Sequence, residues 1–284
     1  MQFHTILRTI LILLIGLFTQ PTFAEIEQKK IPYANRIVAL SPQIVEMVFA
    51  IGAGEKIVGT VDSSDYPKAA LSLPHIGNYA TLDIERILQL KPDLIIALTG
   101  SNQQGVDKLK SLGIPVFYSS PKSLQELADE LKKIGEYTGH QKRAAEIADS
   151  IMDDYQKLLQ TYATEKKITV FYQLWSDPLR TIGDNTAINQ MISDCGGVNL
   201  FGENEVQSPI VSLETVLLKN PQVILIPAAP ETLEEKSSIW QKWEQIDAVR
   251  NNKIVNINPA LIHRITPRTV TGLKELCLAI NLAR

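Results

Sequence analysis

The chain has 284 residues, 45% of them apolar, which is enough for two domains that each bury a core and excludes a disordered chain. Its 28 basic and 31 acidic residues leave a net charge of −3 with no basic run, which excludes a nucleic-acid or anionic-membrane surface.

Residues 1–24 read as a separate object. Arg8 precedes the apolar run Ile10 to Phe18, and Pro21 and the small-ended Thr22-Phe23-Ala24 follow. These are the three parts of an export signal, with cleavage expected after about Ala24. The run falls short of the roughly 20 apolar residues a spanning helix needs, and no cysteine follows it to accept a lipid. The mature chain is expected to be soluble in an exported compartment.

Arg36 to Leu40 is a short buried strand, and Ser41-Pro42 opens a helix, the serine as N-cap and the proline at the first helical position. That helix runs through Val45, Val48 and Phe49 to Gly52 or Gly54, and Ile57 to Val61 is the next strand. A polar, turn-rich stretch from Asp62 to His75 follows. Leu82 to Leu98 is then a helix, a stop at Lys91-Pro92, and an unbroken apolar strand, because proline disfavours helical geometry in the residue before it. A helix around Val106 to Leu112 and the strand Val116 to Tyr118 complete a first lobe, residues 25–138.

From Ser123 to Tyr162 the pattern is helical, broken near Thr138-Gly139. Its second part, from Gln141, places Ala144, Ile147, Ala148, Ile151, Tyr155, Leu158 and Leu159 at helical spacing. At about 1.5 Å per residue it would reach roughly 30 Å, so 139–163 is read as a bridge between lobes. A second lobe, 164–284, opens with the strand Ile168 to Leu174 and ends in the helix Thr269 to Leu282.

Within that lobe, Val211 to Pro227 repeats Leu82 to Leu98 at a constant displacement of 129 residues. A helix feeding a fully apolar strand is the unit of a parallel sheet covered on both faces. The expected fold is therefore α/β: two similar lobes with parallel-type sheets, joined by one long helix, with a ligand cleft between them. A packed helical bridge permits only small rotations, so limited lobe motion is expected. Glu85 and Glu214 coincide in the two copies, although an exposed helix position could carry almost any polar residue.

No enzyme constellation is present. The chain lacks GxSxG, P-loop, HExxH and CxxC motifs, and Gly52-Ala-Gly54 with Gly59 follows a helix and precedes a strand, the reverse of a dinucleotide fingerprint. Neither a catalytic residue, a metal site nor a resident cofactor is expected. What is present is aromatic and polar residues on loops after strands, where α/β folds hold ligands: Tyr66, Tyr79, Trp175, Arg180, His263 and Arg264. Together they suit a large flat or amphipathic molecule. Trp240 and Trp243 are read as packing a helix onto the second lobe. Export favours pairing the two cysteines, Cys195 and Cys277, with buried free thiols as the alternative.

The strings RIVALSPQIVEMVFAIGAGEKIVG, SSDYP, LDIERILQLKPDLIIA and LGIPVF resemble the substrate-binding proteins of ABC importers whose two lobes are joined by a long helix. That class takes up ferric siderophores, haem and cobalamin. Within it the cobalamin-binding members are nearest, through SDYP around Tyr66, Cys195-Gly196-Gly197, Asn199 to Phe201, VSLE at Glu214, Thr266 to Arg268 and the late Cys277. The resemblance implies a periplasmic receptor for a corrinoid as transported ligand, with haem or a siderophore as the alternative; a monomer is expected, and the remote rival from another class is a secreted two-lobe enzyme. It also implies a Cys195–Cys277 pair, and Glu85 and Glu214 docking onto arginines of the inner-membrane ABC permease. Departures bear on the ligand. Tyr79 stands where a tryptophan is expected, one position from where haem-binding members carry an iron-ligating tyrosine, and Leu98 and Ser208 also replace expected tryptophans.

Overall fold

The computed structural model describes residues 33–162 and 166–284. The export signal read in residues 1–24 and the 163/164 lobe boundary lie outside the described residues.

The first lobe is laid down as β1 (Ile37–Ala39), α1 (Pro42–Ala50), β2 (Ile57–Thr60), α2 (Ile84–Gln89), β3 (Leu94–Ala97), α3 (Gln103–Ser111) and β4 (Val116–Tyr118). Its four strands are parallel, in the order β2-β1-β3-β4. Ser41 starts α1 as the sequence predicts: its hydroxyl accepts from the Ile44 N–H, and Pro42 sits in the first turn. Two long helices follow, α4 (Leu124–Thr138) and α5 (Gln141–Tyr162). Gly139 ends α4 in the left-handed conformation at φ 76°, which a residue without Cβ adopts without penalty. Gly135 lets the two helices close on one another, since a Cβ there would lie 2.5 Å from that of Ala144.

The second lobe contains β5 (Ile168–Tyr172), the hairpin strands β6 (Trp175–Ser176) and β7 (Leu179–Arg180), α6 (Ala187–Asp194), β8 (Gly197–Asn199), α7 (Leu213–Lys219) and β9 (Val223–Pro227). It is completed by α8 (Leu233–Ser237), α9 (Asp247–Arg250), β10 (Ile254–Ile257), α10 (Pro259–Ile262) and α11 (Thr269–Asn281). The order of its main sheet, β8-β5-β9-β10, repeats that of the first lobe strand for strand, again parallel throughout. The sequence repeat is thus a topological one. In both copies the helix stop is a left-handed residue before proline, Lys91 at φ 46° and Asn220 at φ 44°.

Period-two alternation sends each strand's side chains to two cores. Ile37, Ala39, Leu94 and Ile96 of the first sheet face one way, and Val170, Tyr172, Val223 and Leu225 of the second do likewise. These eight belong to one continuous apolar core that also takes in Leu131 and Ile134 of α4, Ala144 and Ile151 of α5, and Leu276 and Ile280 of α11. The opposite faces carry a separate core in each lobe: Val38, Ile95 and Leu109 in the first, Phe171, Ile224 and Trp240 in the second. α5 therefore acts as a packed joint, not as an exposed strut.

Cys195, at the end of α6, is bonded to Cys277 of α11, and both are buried. Trp240 is fully buried and its indole N–H donates to Gln173 Oε1 at 2.5 Å, while Trp243 packs partly buried on the same core, so both tryptophans do pack within the second lobe.

Candidate functional site

In parallel sheets the loops at the carboxyl ends of the strands gather on one side, where ligands are bound. Here α1 follows β1 and carries Glu46; the loop after β2 carries Asp65 and Tyr66; the turn after β10 and α10 carries Arg264 and Arg268. These side chains meet across the gap between the lobes. Arg268 Nε and Nη2 donate to the two carboxylate oxygens of Glu46 at 2.8 and 2.6 Å. Arg264 Nη1 donates to Glu46 at 3.2 Å and to Asp65 at 2.7 Å, and Nη2 donates to the Ser63 carbonyl at 3.4 Å. The guanidinium carbon of Arg268 lies 3.8 Å from the centroid of the Tyr66 ring, a stacked cation–π contact.

The turn holding the arginines is itself fixed. Thr269 Oγ1 accepts from the Thr266 N–H at 2.9 Å and donates to the Arg264 carbonyl at 3.0 Å, and both threonines are fully buried. Charge balance is complete within the cluster, two carboxylates against two guanidinium groups. The Arg264 hydrogen bond holds the Asp65 carboxyl below its ordinary value despite partial burial. Burial works against the charge on Arg264, but Asp65 and Glu46 more than offset it, and its pKa moves up. A pocket of about 290 Å³ opens beside this cluster, with Glu46, Phe49, Tyr66, Pro67, Pro267 and Arg268 among the residues that line it. The larger cavity, about 530 Å³ near Gln241, Asn252 and Ile254, lies at the amino end of β10, away from these loops.

Of the six residues expected at a ligand, Tyr66 and Arg264 are brought together here. Trp175 and Arg180 face one another in the β6–β7 hairpin that follows β5. The Trp175 indole N–H is used by the Asp177 carbonyl at 3.0 Å, so its exposed ring offers an apolar face and no donor. Arg180 Nη1 donates to the Ser208 carbonyl at 2.9 Å and ties the 203–211 loop, with exposed Val206 and Ile210, against the hairpin. His263 Nε2 lies 2.8 Å from the Tyr172 hydroxyl. Burial raises the pKa of Tyr172 and lowers that of His263, the latter with help from Lys236, so both stay neutral at pH 7. A buried hydroxyl proton without an acceptor would cost about 1–3 kcal/mol. Tyr172 therefore donates, and His263 carries its proton on Nδ1, making it a hydrogen-bond donor toward any ligand atom that side meets.

Tyr79 stands apart. It is 84% exposed at the tip of a hairpin closed by the Gly77–Leu82 pairing and braced by Asn78, whose side-chain oxygen accepts from the Ala80 and Thr81 N–H groups. Glu85 and Glu214 are exposed and occupy the second position of α2 and α7, behind the N-caps Asp83 and Ser212. Hydrogen bonds from its own backbone N–H and from Ser212 lower the pKa of Glu214. Glu46, Asp65 and Arg268 were missed by the sequence reading of the site. The signals for them were contextual: a carboxylate within the apolar run from Ile44 to Ala50, and Asp65 and Arg268 inside strings already marked by resemblance.

Known proteins share this fold. A family profile described as "Periplasmic binding protein" matches residues 37–261. The vitamin B12-binding protein of Vibrio cholerae serotype O1 is 36% identical over 253 residues, 88% of this chain and 91% of its own. The solved structure of periplasmic vitamin B12 binding protein BtuF of Vibrio cholerae matches with a TM-score of 0.81 at 35% identity, over 89% of this chain and 99% of that one. The periplasmic haem-binding protein RhuT from Roseiflexus sp. RS-1 matches with a TM-score of 0.77 at 25% identity, over 88% and 99%. The profile match begins in β1 and ends at Leu261, three residues before Arg264, so it spans both lobes and the bridge between them: the chain belongs to the periplasmic binding protein family.

Proposed function

We propose that the protein is a non-catalytic periplasmic receptor that captures cobalamin or a related corrinoid between its lobes and delivers it to an inner-membrane ABC permease. The observation that carries this reading is the meeting, at the carboxyl ends of both sheets, of stacked and apolar surface with a charge-balanced polar cluster, in a chain whose relatives over nearly its whole length bind vitamin B12. Corrinoids are large, flat and edged with amides. Tyr66, Tyr79 and Trp175 would supply ring and edge contacts, His263 and Arg264 donors for amide oxygens, and Arg180 the bracing of the loop beside Trp175. A pocket of about 290 Å³ takes only part of such a ligand, leaving the rest against the exposed rings around it. Residues 1–24 are the leader removed on export, with lobes 25–138 and 164–284 about the 139–163 bridge. Glu85 and Glu214 would meet permease arginines, and the receptor would act as a monomer.

Haem is the second reading, supported by the likeness to a haem-binding structure and by the exposed phenol of Tyr79, which could reach an iron. Isolation from the native periplasm followed by a visible spectrum distinguishes the two chromophores. Calorimetric titration should then give about one cyanocobalamin per chain; absence of heat with cyanocobalamin and cobinamide alongside tight hemin binding would transfer the assignment to haem.

A further inference from the structure

Glu46 is a charged side chain on a helix whose other inward positions are Ile44, Val45, Met47 and Val48, and only 2% of it is exposed. A lone carboxylate in that setting would be strongly penalised, so its ionised form depends on partners. Among the described residues its side-chain partners come from the other lobe: Arg268 grips both oxygens and Arg264 adds a third bond. Arg268 in turn lies flat on Tyr66, which belongs to the same lobe as Glu46. The sequence of contacts therefore crosses the gap twice, from Glu46 to Arg268 and back to Tyr66. With Asp65 on Arg264, each guanidinium charge is matched by a carboxylate.

We infer that Glu46 is a positioning residue of the cleft: by fixing Arg268 across the gap it sets the plane of the Tyr66 ring and the separation of the lobes before any ligand arrives. A bidentate carboxylate holds the planar guanidinium in one orientation, and stacking passes that orientation to the ring. One face of Tyr66 is thereby taken, and the residue, 45% exposed, presents its outer surface ready for contact. The balanced charges also favour a flat ligand with little negative charge over a polyanion, because neither arginine has an uncompensated charge to give.

The part concerning ligand contact rests on the corrinoid reading; the part concerning lobe separation does not, and the test keeps them distinct. Nitroxide labels on Lys110→Cys in α3 and Glu244→Cys in the second lobe report the distance between lobes in ligand-free protein. Glu46→Gln preserves shape and removes the charge, and should broaden and lengthen that distance distribution. In cyanocobalamin titrations Glu46→Gln should weaken binding about tenfold, and adding it to Tyr66→Leu should cost little more than Tyr66→Leu alone. An unchanged distance distribution overturns the inference, whether or not the wild type binds a corrinoid. So does a double mutant whose losses simply multiply. Should Glu46→Gln fail to fold, Arg268→Lys retains the charge and loses the stack; it must show the same dependence on Tyr66 for the inference to stand.

Discussion

A single carboxylate can shape the pH response of a fold when its surroundings favour one protonation state. Glu130, on α4, accepts from Ser119 Oγ at 2.5 Å and from the Ser120 N–H at 3.2 Å, tying the turn after β4 to the helix. Burial is the largest influence on it and, with Glu126, raises its pKa above the ordinary 4.5 against the opposing pull of Ser119, Ser120 and Lys133. The folded protein then holds a proton that the unfolded chain has released, so stability falls as pH rises from 4.5 through the raised value. Urea midpoints taken from pH 4 to 7 in wild type and Glu130→Gln should differ by an amount that declines, wild type minus variant, as pH rises across that window. A difference that stays constant with pH would show that Glu130 does not carry this dependence. His263 acts in the other direction, since its lowered pKa contributes stability above 6.5 that is lost as pH falls through the folded value.

Between elements, the disulfide is the strongest single tie. It closes α6 onto α11 across a sequence separation of 82, and both sulfur-bearing residues are buried among Ile192, Leu273 and Ile280. Constraining a loop of that length in the unfolded chain is worth about 4.5 kcal/mol in the entropic account, and measured effects of removing native disulfides run about 2–5 kcal/mol. Cys195→Ala with Cys277→Ala should lower unfolding stability within that range in urea titrations while leaving the lobe fold and ligand stoichiometry in place. Loss below 1 kcal/mol would mean that α11 is held by apolar packing alone. Resemblance had implied this pair, and packing explains why it forms: α6 and α11 face the same core from adjacent positions.

At the scale of the whole molecule, the two lobes share one core through α5, so rotation of one against the other disturbs buried contacts of Ala144, Ile151 and their neighbours. Small displacements are the expected response to ligand, and the repeated topology sets Glu85 and Glu214 at matching points of the two lobes. Two matching carboxylates suit a permease built with two-fold symmetry. Glu85→Arg combined with Glu214→Arg should leave corrinoid affinity within about twofold while abolishing docking and uptake by the reconstituted transporter, because like charges would oppose one another there. Each single reversal should lose less than the pair. Normal uptake by the double variant would reduce both glutamates to solvated helix residues.

The sequence by itself determined what depends on local order. Periodicity marked α5 from Gln141 to Tyr162, the Ser41-Pro42 cap and Gly139 marked helix ends, and the 129-residue repeat announced two lobes of one topology. Strings of that kind survive in the primary structure because backbone propensity and burial act over a few neighbouring residues. Legibility ended where partners lie far apart in the chain. Tyr66 and Arg264 could be placed on loops, but Glu46 looked like an isolated charge in an apolar helix, and its bonds reach Arg268, 222 residues away. Only the packing of both lobes on α5 brings those loops together. The charge-balanced cluster, the stacking of Arg268 on Tyr66 and the pocket beside them are consequences of that packing, and no stretch of sequence contains them.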